Sequence, residues 1–226
     1  MNNKLDYKYF YKRNLPHFQP EEGIFFITFR LNIELPDNLK QTLISKHKDF
    51  EEKIKKYSEL EKSEMKLKFD KRQFDLIDNF LGLTKNGPFW LKDENIAKIV
   101  KDSLFFLHKE KYFLYSFCIM PNHVHILIKP LQNVKKGYFS FAEIMKSHKG
   151  ITANKANKYL NRKGQFWHHE NYDHWVRDDK EFHNIIWYII NNPVKAKLVK
   201  DFQDWKFTWV EESIQKEMGI ELHNQD

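Results

Sequence analysis

Two hydrophobic periods alternate along this chain, and the switches between them mark its elements. The run Gly23-Ile24-Phe25-Phe26-Ile27-Thr28-Phe29-Arg30-Leu31 is rich in aromatic and β-branched residues and predicts a first strand. From Pro36-Asp37 the apolar positions thin into a charged helical stretch running to about Leu81. Asp37 is its expected N-cap, and Gly82 with Asn86-Gly87-Pro88 is its expected stop. Its centre, FEEKIKKYSELEKSEMKLKFDKRQF, mixes both signs of charge with few core candidates, the pattern of a solvated helical hairpin. Helical periodicity returns from Asp93 to about His108, with an acidic first turn. Two strands follow, at about 112–119 and 123–129, joined through Met120-Pro121-Asn122. A helix is expected over 140–160 and a further strand within 165–176. A last helix, capped by Asp179, is expected to end near Asn192, because Pro193 disfavours helical geometry before it. This order predicts an α+β sandwich built on one antiparallel sheet, a single domain over 1–226 with a helical insertion at about 34–86.

Period two also singles out chemistry. His123 and His125 share one face of their strand, expected to be the exposed one and to carry Ile119 and Leu127 as well. Val124, Ile126, Ile128 and Cys118 are assigned to the opposite face. Two adjacent imidazoles suit a metal ion, although strand histidines bonded to their neighbours fit the same pattern. The stretch Trp167-His168-His169-Glu170-Asn171-Tyr172-Asp173-His174 superficially resembles a zinc-protease helix, which needs histidines four apart. His169 and His174 are five apart, about 140° out of line on a helix, so that reading fails. In the last helix Phe182, Ile185, Ile186 and Ile189 form an apolar stripe, with Glu181, Tyr188 and Asn192 on its shoulder. Tyr188 is a candidate nucleophile, but with ten tyrosines in the chain, position alone does not select it.

Charge adds a class of partner. The chain has 38 Lys and Arg against 31 Asp and Glu, a net charge of +7 that favours polyanions. From Lys146 to Lys163 there is no acidic residue, and Lys155, Lys158 and Arg162 fall on one helical face while Ala156, Tyr159 and Leu160 are expected to pack inward. Lys146, Lys149, Lys155, Lys158, Arg162 and Lys163 are therefore the candidate phosphate contacts. A single cysteine, Cys118, excludes an internal disulfide framework. There is no apolar leader and no run of about 18 apolar residues, which leads to the expectation of a soluble cytoplasmic protein with no membrane partner.

Several of these stretches, taken in order, carry a resemblance: Arg13-Asn14-Leu15-Pro16-His17-Phe18, PNHVHILIKP, Glu143-Ile144-Met145-Lys146-Ser147, Tyr172-Asp173-His174-Trp175-Val176-Arg177-Asp178, and Tyr188-Ile189-Ile190-Asn191-Asn192-Pro193-Val194-Lys195. Together they resemble the REP-associated tyrosine transposases, single-tyrosine enzymes of the HUH (His, hydrophobic, His) class related to the IS200-like transposases. The resemblance implies a ferredoxin-like fold with the histidine pair on a central strand. It implies Tyr188 as nucleophile, His123, His125 and Asn192 around a divalent metal (Mg²⁺ or Mn²⁺), and cleavage and rejoining of single-stranded DNA through a 5′-phosphotyrosine. The implied partner is single-stranded or hairpin DNA from palindromic repeats, with monomer or homodimer left open. A non-catalytic palindrome-binding protein or repressor, and an HUH replication initiator or relaxase, are the alternatives. The chain departs from the family pattern in its long charged insertion and in Lys197, which stands where a glycine often follows.

Overall fold

The computed structural model describes residues 22–83, 85, 87–134 and 137–222, so the Arg13–Phe18 motif lies outside the described residues. These described residues divide into two compact units, one from Glu34 to Leu81 and one from Glu22 to Ile33 with Gly82 onward.

The first unit contains α1 (Asp37–Ile54) and most of α2 (Glu59–Leu83), the helical hairpin that the charge pattern suggested. Asp37 is the first helical residue and not the cap; Pro36 holds the cap position with no side-chain bond. Gly82 does not stop α2, which continues through it to Leu83. The seam between the helices is narrow. Phe50 and Phe69 stack with centroids 4.2 Å apart, and Gln73 Nε2 donates to the Leu43 carbonyl at 3.4 Å. Ser58 and Glu61 bond reciprocally at the start of α2, satisfying amide groups that the first turn cannot pair.

The second unit is built on one antiparallel sheet. Its strands are β1 (Ile24–Leu31), β2 (Tyr112–Ile119), β3 (His123–Pro130), β6 (Trp167–Val176) and β7 (Thr208–Val210), in the order β6-β1-β3-β2-β7. With α3 (Glu94–Leu107) between β1 and β2, and α4 (Phe141–Tyr159) between β3 and β6, the first four strands form the ferredoxin-like β-α-β-β-α-β unit. A two-stranded ribbon, β4 (Gln132–Asn133) and β5 (Gly137–Tyr138), precedes α4. After β6 come α5 (Asp179–Ile190), the one-turn α6 (Asn192–Lys195), β7 and α7 (Glu212–Met218).

Local chemistry sets the helix starts. Asp93 caps α3 by accepting from the amides of Asn95 and Ile96. Ser140 and Glu143 form a complete capping box on α4. For α5 the cap is Asp178 rather than Asp179: its carboxylate accepts from the Glu181 amide at 2.7 Å. The helix ends at Ile190, and Asn192 opens α6.

Register fixes what each face of the sheet carries. Phe25, Ile27 and Phe29 pair across β1/β3 with Ile128, Ile126 and Val124. This face is covered by α3 and α4, as the edge contacts Phe25–Phe141, Phe29–His148 and Phe105–Phe117 show. The other face carries Phe26, Thr28 and Arg30 opposite Leu127, His125 and His123, and α5 packs there. In β2, Cys118 pairs with His125 and Ile119 with Val124. Cys118 therefore lies on the histidine face and Ile119 on the opposite one, the reverse of the sequence assignment. Four residues, Met120 to His123, separate that last pair, so odd positions of β2 share a face with even positions of β3. A bulge between Leu114 and Ser116 resets the parity again. Among the described residues no helix is long and apolar enough to cross a membrane.

Candidate active site on the α5 face of the sheet

His123 and His125 project together from central strand β3, and both are fully buried. The expectation of an exposed face fails here: α5 packs on this face, with Tyr188 edge-on to His125. A buried aliphatic side chain at each position would contribute about 1.5–3 kcal/mol of transfer energy. An imidazole there forgoes much of that and must find hydrogen-bond partners.

Those partners define the site. The Nδ1 atom of His123 lies 2.6 Å from Asn122 Oδ1, and Nδ1 of His125 lies 2.7 Å from Thr28 Oγ1 on the paired strand. The two Nε2 atoms face each other at 3.1 Å. With Nδ1 of His123 donating to the amide oxygen, its Nε2 carries the lone pair, and Thr28 can accept in the same way from His125. Both inner nitrogens are then acceptors aimed at one point, an arrangement that a shared cation satisfies. Donors 3.1 Å apart fit adjacent ligands of a hard divalent ion, whose octahedral edge at bond lengths of about 2.1 Å is about 3.0 Å. Thr28 and Asn122 orient the two imidazoles through their outer nitrogens.

Tyr188 is half-buried on α5, and its ring stands edge-on to both His125 (centroids 5.5 Å) and Phe26 (5.7 Å). Phe26 also stacks on His125 at 5.6 Å, so ring packing sets the imidazole and the phenol relative to each other. Tyr172, the other tyrosine near this face, pairs with Thr28 from β6 and touches Phe26 at 6.2 Å. Beside it His174 meets Glu181 at 2.8 Å, and the second oxygen of Glu181 accepts from the Arg177 amide, tying β6 to the first turn of α5. Asn192 is buried, and its Nδ2 has no hydrogen-bond partner among the described residues.

The basic residues separate into two groups. Lys146, Lys155, Lys158 and Lys163 are exposed on or just beyond α4. Lys149 is not with them: its Nζ donates to the carbonyls of His168, His169 and Glu170 at 2.6, 3.2 and 3.4 Å. Burial pushes its pKa down to about 7, Glu170 opposing that shift and Arg30 adding to it. Arg162 lies past the end of α4, after Asn161 in a left-handed conformation, and its guanidinium stacks 4.1 Å from the Trp90 ring centre. It also bonds Asn157 Oδ1, so it does not extend the lysine face. Tyr159 is half exposed rather than packed inward, its hydroxyl held between Asn95 and Asp93.

Comparison with known proteins places this architecture. Residues 80–192, half of the chain and inclusive of the histidine pair and Tyr188, match the family described as "Transposase IS200 like". The chain belongs to that family. It is 26% identical over 116 residues to a protein of Haemophilus influenzae named "Putative REP-associated tyrosine transposase", a stretch amounting to 49% of this chain and 64% of that relative's length. A solved structure of a REP-associated tyrosine transposase bound to a REP hairpin has the same fold, with a TM-score of 0.51 at 13% identity over 92% of this chain and 87% of that one.

Proposed function

We propose that the protein is a metal-dependent endonuclease and strand transferase that cuts and rejoins single-stranded DNA at hairpin-forming palindromic repeats. The observation that carries this reading is the convergence of two anchored Nε2 atoms beside the Tyr188 ring. His123 and His125 hold a divalent ion, Mg²⁺ or Mn²⁺, and Asn192 offers it an amide oxygen. When bound, such an ion polarises a phosphodiester and offsets charge on its non-bridging oxygens.

Tyr188 is the nucleophile. Its oxygen forms a bond to phosphorus as the bond from phosphorus to the 3′ oxygen breaks, and that oxygen leaves as a 3′-hydroxyl after taking up a proton. The 5′-phosphotyrosine conserves the ester, so a second 3′-hydroxyl reverses the step and joins new ends without a nucleotide cofactor. Ring contacts to His125 and Phe26 limit the phenol's freedom before attack, which is how a folded site lowers the entropic part of the barrier. Hairpin DNA as partner is supported by the family and by the hairpin bound in the related structure. Lys146, Lys155, Lys158 and Lys163 supply sequence-independent phosphate contacts.

Tyr188→Phe tests the reading, because it keeps the ring packing and removes only the hydroxyl. Incubated with single-stranded palindromic repeats and Mn²⁺, the wild type should yield a nick and a DNA-linked peptide containing Tyr188. The variant should fold and bind DNA but yield neither. An adduct on Tyr172, or unchanged cutting by the variant, would refute the assignment.

A further inference from the structure

Helix α5 is fastened to the sheet at two levels. At one, Tyr188 packs edge-on to Phe26 and His125. At the other stands Glu181, seven residues earlier on the same helical face, about 20° out of line and roughly 10 Å along the axis. Its carboxylate only accepts, so Nε2 of His174 carries the proton of the 2.8 Å bond between them. The same carboxylate accepts from the Arg177 amide at 2.9 Å, and Asp178 accepts from the Glu181 amide at 2.7 Å. Those two bonds satisfy amides at the start of the helix. The bond to His174 has a different character, because it leaves the helix for a neighbouring strand.

That bond closes a circuit. His174 is the register partner of Phe26 on β1, and the Phe26 ring lies against both Tyr188 and His125. From His174 the circuit runs to Glu181, along two turns of α5 to Tyr188, across to Phe26 and back through the β1/β6 ladder. Each link limits how far α5 can slide or roll over the histidine pair. Shielding makes the link at His174 firm. The side chains of His174 and Glu181 are 17% and 28% exposed. His183 and Glu217, which join α5 to α7 at 3.0 Å, are 36% and 56% exposed, and solvent weakens that bond. A helix held at its first turn delivers a third-turn side chain to a fixed point. Misplacement by about 1 Å, even from a change far from the chemistry, can cost about a hundredfold in rate.

We infer that His174 is a positioning residue for the reaction proposed at Tyr188: by holding Glu181 it sets where α5 places the phenol beside the histidine pair. This inference rests on that reaction, and its test separates the two. The full-length protein is compared with His174→Val, Glu181→Ala, the two combined, and His174→Gln. Valine keeps the strand preference and both bonds at the helix start while removing the donor, and glutamine puts a donor back. With saturating single-stranded palindromic repeat and Mn²⁺, either single change should slow formation of the Tyr188 adduct about tenfold in one turnover. The double variant should be no slower than Glu181→Ala alone, and His174→Gln should recover to within about threefold of the wild type. Affinities for the repeat and for Mn²⁺ should match the wild type, which general damage to the fold would not permit. Slowing that multiplies in the double variant, or His174→Val cutting at the wild-type rate, would overturn the inference and leave Tyr188 as nucleophile.

A second readout needs no cutting. With 3-fluorotyrosine in place of Tyr188, ¹⁹F NMR of the protein without DNA reports the surroundings of the phenol ring. In His174→Val the resonance should shift and broaden, and in His174→Gln it should return toward the wild-type position. That pattern supports the positioning role even if Tyr188 forms no adduct, a result that would refute the reaction alone. A resonance unchanged by His174→Val would overturn the positioning role whether or not the protein cuts.

Discussion

Two strands of the same sheet are rich in histidine, and among the described residues only β3 presents them in an arrangement that could hold a metal ion. On β3, His123 and His125 share a face, have their outer nitrogens fixed by Asn122 and Thr28, and bring their inner nitrogens to 3.1 Å. On β6, His168 and His169 are adjacent in the stretch where the β1/β6 register shifts, and their rings pack against each other with centroids 4.5 Å apart. His168 is also buried, but its Nδ1 is used to accept from the Glu170 amide. Burial pushes its pKa down to about 3, and the positive charges of Arg30, His169 and Lys149 push the same way. That corner is already supplied with cations. Spacing and what the second nitrogen touches set the two pairs apart, and burial does not, since His168 is buried as well.

Removing the pair should have the largest effect. His123→Ala with His125→Ala should abolish cleavage and the Mn²⁺-binding heat in titration calorimetry, while hairpin binding persists through the basic surface. In contrast, His168→Gln should leave both the heat and the cutting rate close to wild type. If the β6 variant lost Mn²⁺ binding and the β3 double variant kept it, the comparison would be inverted.

A smaller effect should come from the anchor that holds His125. Thr28→Val keeps the β-branched shape and removes the hydroxyl facing His125 Nδ1. Outer partners of this kind typically contribute 10–100-fold in metal affinity, so Mn²⁺ affinity should fall by about that factor, with cutting partly restored at high metal concentration. Unchanged affinity would mean that strand geometry alone orients the imidazole.

Thr28 also shows where sequence reading stops. Strand periodicity is a local property, so the shared face of His123 and His125, the element order and the α+β class were legible from short windows. The family resemblance supplied the ferredoxin-like topology, and the match over 80–192 agrees with it. The bond from Thr28 to His125 joins residues 97 apart and depends on the β1/β3 register, which no local pattern encodes. The misassigned faces of Cys118 and Ile119 have the same origin, since parity across a hairpin depends on loop length. β7 was missed because a three-residue strand is too short to show a period. Lys149 looked like one more lysine of a basic helix until β6 supplied three carbonyls around it.

The smallest expected effect belongs to that lysine, and it tests whether the β6 corner is a structural device. Lys149 Nζ sits among the carbonyls of residues 168–170, with Arg30, His168, His169 and Glu170 as the titratable or charged groups acting on it or next to it. Its folded pKa is lowered to about 7 from an ordinary value of 10.5, chiefly by burial. Between those two values the unfolded chain holds the proton and the folded chain does not, so stability rises as pH rises through that window. Below about 7 both states are protonated and the penalty stays constant. Lys149→Met keeps most of the stem and cannot titrate, so it should melt with a flatter pH dependence between pH 7 and 10 than the wild type. Other lysines and tyrosines titrate in both proteins, which is why the difference between the two slopes is the quantity to measure. Parallel curves would show that the ammonium stays charged on its three carbonyls, held there by hydrogen bonds strong enough to offset burial. In that case the β6 corner would keep a cation of its own across the whole range, which would sharpen its contrast with the paired histidines of β3.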